Sequence, residues 1–266
     1  MLLLLTDPGS APDPASETVR ATAAGTTVDL TGKQIDPADE DLVAAALAWP
    51  TDTDRITVRA NMVASLDGGT TLDGTSGGLG SPVDQRLIGI QRDLADVILV
   101  GAGTVISEGY PGTKSYPRRL ARRERWGRSG LPRWVIVASR PLPAGLKAVV
   151  ESEVPPLVLS PDDVEHAEGV EVIRTGSDLD LAVGLAQLAE RGVRRVLCEG
   201  GPTLLGRLES RALLDEISLT LSPTLLGAGA PVPLLGGMEL RDPSRWSLVS
   251  LFADGGHLFP RYRRRR

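Results

Sequence analysis

Two segments of this 266-residue chain restrict its fold more than any others. In each, a short apolar run stops at glycines and passes into a helix-forming stretch. The first reads Val97-Ile98-Leu99-Val100-Gly101-Ala102-Gly103-Thr104, the second Val196-Leu197-Cys198-Glu199-Gly200-Gly201-Pro202-Thr203. Apolar runs without polar alternation mark strands covered on both faces. Pro202 suits the first position of a helix, where a missing N–H goes unnoticed. Two strand–turn–helix units of this kind predict a mostly parallel sheet with helices on both sides.

The remaining patterns agree. Strands are expected at 56–64, 134–138, 156–160 and 170–173, and helices after Ser81-Pro82-Val83-Asp84, over 178–191 and over about 203–211. Asp36-Pro37-Ala38-Asp39 reads as an aspartate cap with proline at the first helical position. Residues 213–226 and 246–262 alternate in character and suit late antiparallel strands. Residues 1–34, rich in Pro, Ala, Thr, Gly and Asp, read as a loosely ordered arm before a single domain at 35–266.

Hydrophobic residues make up 41%, enough for a real core, and the net charge of −5 offers no field to attract nucleic acid or a membrane surface. A single cysteine, Cys198, excludes an intramolecular disulfide and a multi-cysteine zinc site, and fits a reducing cytoplasm. Met1 to Leu5 is too short an apolar run for a signal peptide or a span. The arginine clusters at 118–128 and 261–266 are not part of a nucleic-acid recognition motif, and with the acidic net charge against that role they read as solvated surface.

Ligands of open α/β sheets bind beyond the carboxyl ends of the strands. Both glycine turns sit there, and each leads into a helix whose free N–H groups favour an anion. Read alone, Gly101 and Gly103 are either a phosphate cradle or an ordinary tight turn. Together with Gly200 and Gly201 they suit a pyrophosphate, with Thr104 and Thr203 as hydroxyl donors. The Rossmann fingerprint fails, because Ile106 stands where its third glycine belongs. The strand at 134–138 ends in Ser139-Arg140 and has no acidic residue there. Those two side chains suit a 2′-phosphate, so NADPH is expected over NADH.

Val63-Ala64-Ser65-Leu66-Asp67-Gly68, Ser76, Arg92, the two glycine turns, Leu214-Asp215-Glu216-Ile217 and Ser222-Pro223-Thr224-Leu225-Leu226-Gly227 occur in a fixed order over residues 56–262. In this the chain resembles the reductase domain of bacterial riboflavin biosynthesis, above all its stand-alone actinobacterial branch. The resemblance implies an α/β, dihydrofolate-reductase-like three-layer fold, a homodimer joined through the late strands, and a small-molecule pyrimidine substrate. The implied reaction is NADPH-dependent reduction of 5-amino-6-(5-phosphoribosylamino)uracil to the ribitylamino form, by hydride transfer to an open-chain imine. It also implies cofactor contacts from Val63, Thr104, Glu108, Gly201, Pro202, Thr203 and Leu204, and substrate contacts from Ser76, Arg92 and Glu199. Asp67 and Glu199 stand as the catalytic carboxylates, although an Asp-Gly pair is also a common turn. The chain departs from the family at Gly77-Gly78, where an aromatic is usual, and at 108–115, where a phosphate-holding arginine is missing. Lys114, Arg118 and Arg119 are the candidates to replace it. Two other readings remain open: a dihydrofolate- or pterin-type reductase, and a non-catalytic NADPH-binding protein.

Overall fold

The computed structural model describes residues 2–5, 20–23, 26–29, 36–50, 55–166, 170–227 and 232–265. The strands are β1 (Leu2–Leu5), β2 (Arg20–Ala23), β3 (Thr26–Asp29), β4 (Thr57–Ala64), β5 (Val97–Gly101), β6 (Arg133–Val137), β7 (Leu157–Ser160), β8 (Glu171–Arg174), β9 (Arg195–Cys198), β10 (Glu216–Leu221), β11 (Trp246–Asp254) and β12 (His257–Arg264). The helices are α1 (Glu40–Ala46), α2 (Pro82–Leu94), α3 (Ala102–Ser107), α4 (Pro117–Arg125), α5 (Lys147–Val150), α6 (Leu181–Glu190) and α7 (Pro202–Ser210).

Ten strands form one sheet in the order β1-β11-β12-β10-β4-β9-β5-β6-β7-β8, and β2 pairs with β3 separately. From β10 to β8 every neighbouring pair is parallel, whereas β1, β11, β12 and β10 pair antiparallel. The expected mostly parallel sheet with antiparallel late strands is therefore present. One detail differs: β10 alternates like an antiparallel strand, yet it pairs parallel with β4 on one side and antiparallel with β12 on the other. It is the seam between the two halves.

Period-two alternation sorts the strand residues into layers. Val97 and Leu99 of β5, Val135 and Val137 of β6, and Val196 and Cys198 of β9 pack under the leucines of α6 and α7. Ile98, Val100, Trp134 and Ile136 face the other way, onto α3 and α5. Leu197 shares that second face and packs with α1 and α2. The result is helix, sheet, helix. Cys198 lies fully inside, and burial pushes its thiol up to about 12, as expected of a small packing residue.

The helix starts follow their caps. Ser81 caps α2 through the N–H of Asp84, and Asp180 caps α6 through that of Ala182. At α1 the cap is Asp39, which accepts the N–H of Leu42, so Pro37 stays outside the helix. The expectation of a cap at Asp36 was three residues early. Most of the 1–34 segment lies outside the described residues. Of its described parts, β1 lies on β11.

The arginine clusters are not uniformly solvated. β12 runs inside the sheet, so buried Arg261 meets buried Glu216, which also accepts from Arg59 and Arg263. Arg59 and Arg261 donate onward to the carbonyls of Ala46, Leu47 and Ala48, tying the end of α1 to the sheet. Arg123, also buried, donates to the carbonyls of Asp93, Ala95, Ser129 and Gly130. A guanidinium inside a protein must be matched in this way or it costs several kcal/mol, roughly.

Candidate active site

Parallel pairing brings the ends of β4, β9, β5 and β6 to one edge of the sheet. There the two glycine turns meet. The Gly101 N–H donates to the Gly200 carbonyl at 2.7 Å, and the Gly200–Gly201 peptide is cis. Gly200 has φ +81°, and an added Cβ would fall 2.9 Å from the Met62 sulfur. An added Cβ on Gly201 would fall 2.7 Å from Thr104 Oγ1, while Gly103 faces open space. The glycines are thus required by close packing in the second turn, and they leave the first turn's backbone accessible.

The joined turns form a bridge with a recess on each side. On one side a cavity of about 390 Å³ opens between β4, α2 and the start of α3. Val63, Ser76, Arg92, Thr104, Glu108, Glu199, Gly201 and Pro202 are among its lining residues, so most of the expected contacts are gathered here. On the other side a groove of about 460 Å³ is lined by Gly101, Gly103, Ser139, Arg140, Thr203 and Leu204 with apolar neighbours. Ser139 and Arg140 are exposed there.

Within the cavity, the Arg92 guanidinium grips Glu199 with two hydrogen bonds, Nε to Oε1 at 2.6 Å and Nη2 to Oε2 at 2.7 Å. The Tyr110 hydroxyl donates to the same carboxylate at 3.0 Å, and the Arg92 head lies over the Tyr110 and Trp134 rings. Burial opposes the charge on Arg92, but the Glu199 carboxylate outweighs it and holds the arginine's pKa above its usual value. Tyr110 is held well above the usual phenol range, by burial first and by Glu199 second. Glu108 does not reach into open space: its Oε1 accepts the Ser76 N–H at 2.8 Å and fixes the 76–79 turn.

Asp67 stands apart from this group. It is not among the residues lining the cavity. Its exposed carboxylate accepts Ser65 Oγ at 2.6 Å, the Gly227 N–H at 2.7 Å and the Leu226 N–H at 3.1 Å. Those donors, Ser65 foremost, lower its pKa to about 2. A carboxylate saturated in this way holds a loop, which is the turn-forming alternative that the Asp-Gly pair offered. The replacements considered for the missing arginine are committed elsewhere too. Lys114 lies 3.7 Å from Glu151, Arg118 pairs with Glu40, and Arg119 pairs with Asp93.

The chain matches the model of the RibD C-terminal domain over residues 56–259. It belongs to that family. The 2,5-diamino-6-ribosylamino-4(3H)-pyrimidinone 5′-phosphate reductase of Archaeoglobus fulgidus is 28% identical over 218 residues, 78% of this chain and 98% of that protein. Riboflavin biosynthesis protein RibD of Escherichia coli is 27% identical over 65% of this chain, which spans only half of that longer relative. Among solved structures, a pyrimidine reductase-like protein from Corynebacterium diphtheriae superposes with a TM-score of 0.70 at 27% identity, covering 85% of this chain and 98% of that one.

Reading the RibD C-terminal motifs alone misses several cavity residues. Asp84, Ile88 and Arg92 recur at four-residue steps on α2 and line the cavity together. The core face of the same helix is Leu87, Ile90, Gln91 and Leu94. That second stripe was present in the sequence, and its period was the available signal. Asp84 accepts Thr220 Oγ1 at 2.6 Å, and burial raises its pKa despite that bond. Tyr110 and Arg207, the latter in the groove, carry no sequence signal of their own.

Proposed function

We propose that this chain is an NADPH-dependent reductase of an aminopyrimidine, reducing 5-amino-6-(5-phosphoribosylamino)uracil or its close relative to the ribitylamino form. The observation that carries the reading is the hydrogen-bonded pair of glycine turns, standing between an arginine-bearing groove and a carboxylate-lined cavity. The residues present suit the cofactor. Backbone at Gly101, Gly103 and Gly201 leaves no Cβ in the way of a pyrophosphate, and Thr104 and Thr203 add hydroxyls. Ser139 and Arg140 suit the 2′-phosphate, and Val63, at the end of β4, is the wall for the nicotinamide.

When bound, the cofactor supplies a hydride to the imine carbon of the opened ribosylamine. The chain's own part is placement and charge. Glu199, fixed by Arg92 and Tyr110, presents a carboxylate to N–H donors of a pyrimidine or to positive charge on an imine. Ser76 is positioned by Glu108 to contact the same substrate. The nitrogen that loses its double bond takes up a proton, and Asp84 is the cavity carboxyl whose burial favours holding one. The same reading takes residues 35–266 as one reductase domain, working as a homodimer in the cytoplasm.

A second substrate reading, a dihydrofolate- or pterin-type ring, is favoured by one observation. Among the described residues, the one guanidinium lining the cavity is already bound to Glu199, and Lys114, Arg118 and Arg119 stand outside it. Steady-state NADPH oxidation with the ribosylaminouracil phosphate, its dephosphorylated form and dihydrofolate separates the readings. Turnover of the phosphate alone supports the first. Turnover of dihydrofolate alone supports the second, and tight NADPH binding without any turnover sinks both.

A further inference from the structure

Charge is unequally divided across the glycine bridge. The cavity lining holds Asp84, Glu108 and Glu199 against Arg92. The groove lining holds Arg140 and Arg207 and no carboxylate. Most arginines of this chain close on a partner, as Arg92, Arg119 and Arg195 do. Among the described residues, the side chains of Arg140 and Arg207 have neither a hydrogen-bond nor an ion-pair partner. Two unneutralised guanidinium groups therefore share one groove, beside the apolar walls of Leu142, Leu179 and Leu204.

The place of Arg207 is set by its helix. It follows Thr203 by four residues in α7, so the two share a face and lie about 6 Å apart along the axis. Leu205 and Leu208, which are absent from the groove lining, bury the other side of α7. At Gly206 an added Cβ would collide with the Leu235 carbonyl, so the helix is seated closely there as well. Arg207 is consequently held on the groove side, one turn farther from the glycine bridge than Thr203.

We propose that Arg207 is a second phosphate-binding arginine, which acts with Arg140 and Ser139 on the monoester phosphate of the adenosine ribose and sets the preference for NADPH over NADH. This rests on the NADPH reading above. The pyrophosphate is provided for at the bridge by backbone and hydroxyls, without a guanidinium. A phosphate monoester carries about −1.5 to −2 charge near neutral pH, which two guanidinium groups match and one does not. Arginine suits it further because its fork makes two parallel bonds to phosphate oxygens. The apolar walls strengthen both attractions by lowering the local dielectric.

The test is calorimetric binding of NADPH and of NADH to the full chain, for wild type, Arg207→Met, Arg140→Met and the double variant. Arg211→Met serves as a control, since it removes an equal charge four residues on, at the C-cap of α7, from a residue outside the groove lining. We expect the NADPH-over-NADH preference to fall about tenfold in Arg207→Met, further in the double variant, and less than twofold in Arg211→Met. Arg207 has no partner to orphan, so the fold should persist, and Arg207→Gln provides a second variant if Met is not tolerated. A preference that survives both substitutions at Arg207 but falls in Arg140→Met overturns the proposal and leaves the NADPH reading intact. Equal weakening of NADPH and NADH by Arg207→Met overturns it as well, because that is adenine stacking. A wild type without preference overturns the NADPH reading itself, and this proposal with it.

Discussion

The Arg92–Glu199 pair offers the most informative perturbation, because its geometry makes a quantitative demand. The two hydrogen bonds are 2.6 and 2.7 Å long, the Glu199 side chain is 2% exposed and that of Arg92 is 31% exposed. At an effective dielectric of about 20, unit charges some 4 Å apart attract by about 4 kcal/mol. Withdrawing the carboxylate from water takes back a large part of that. A net coupling of about 2 kcal/mol should remain between the two side chains, within the range seen for directly paired residues. Glu199→Gln strands an arginine that still reaches solvent, and should cost about 2–3 kcal/mol, below the 3–5 typical of a fully buried pair. Arg92→Met strands the buried carboxylate with only the Tyr110 hydroxyl, and should cost about 1 kcal/mol more. For a chain of this size each kcal/mol lowers Tm by about 2–4 °C, so both single variants melt measurably earlier. Urea unfolding of wild type, both single variants and the double variant gives the coupling directly. A value under about 0.5 kcal/mol, the usual limit of additivity, would refute the claim that Arg92 is spent on Glu199. It would return Arg92 to the pool of groups available to a substrate phosphate.

Three further outcomes follow from the same geometry. Gly201→Ala places a Cβ 2.7 Å from Thr104 Oγ1, and should weaken NADPH binding by about 1.4 kcal/mol or more, roughly tenfold in Kd; unchanged affinity in a folded variant removes that turn from the site. Asp67→Asn should keep most of the turnover while Asp67→Ala speeds amide exchange at Leu226 and Gly227, since the group holds a loop; a large loss of kcat in the Asn variant with unaltered exchange would restore a catalytic role. Asp84 has its pKa raised by burial from 3.8, with the Thr220 hydroxyl and the neighbouring His257 acting against the rise. Between 3.8 and the raised value the folded chain keeps a proton that the unfolded chain has lost, so this group lowers stability as pH climbs through that window. Asp84→Asn should therefore stabilise the fold more near pH 7 than below pH 3.8, with turnover reduced; equal effects at both pH values would show that burial does not raise this carboxyl.

The layers of this fold were legible because strands β5, β6 and β9 are apolar on both faces and end in glycine or in Ser139-Arg140. The seam at β10 was not legible, since alternation reports which face is buried and says nothing about the direction of a neighbour. The fate of the arginines was equally hidden. Arg261 and Arg118 look alike in sequence, but β12 carries the first inward to Glu216, while α4 leaves the second at the surface. Motif positions pointed to Glu199, Arg92, Ser76 and Thr104, which the fold gathers at one cavity, but not to Arg92 and Glu199 holding each other. That bond joins residues 107 positions apart, and it depends on α2 crossing the end of β9. Asp67 lies apart from the cavity for a similar reason: Ser65, two residues away, is its closest partner, and the Leu226 and Gly227 N–H groups that complete its bonding lie 159 and 160 residues away.

The position of β9 explains why these roles are difficult to separate. It lies between β4 and β5, so the four residues that follow Cys198 serve both recesses. Glu199 sets the charge of the cavity, Gly200 binds the first turn, and Gly201 and Pro202 open the helix that carries Thr203 and Arg207. On the proposed reading, a change in this segment disturbs cofactor and substrate together, so it is a poor place for substrate preference to diverge. Although Arg92 and Tyr110 bond to Glu199, Asp84 and Ile88 on the cavity face of α2 and the rest of the 108–115 segment make no hydrogen bond to it among the described residues. Gly112 seats the latter against the backbone of Glu151 and Ser152, away from the glycine bridge. Substitutions there can redirect the substrate while the cofactor site is kept, and 108–115 is the region where this chain departs from the family's phosphate-holding pattern.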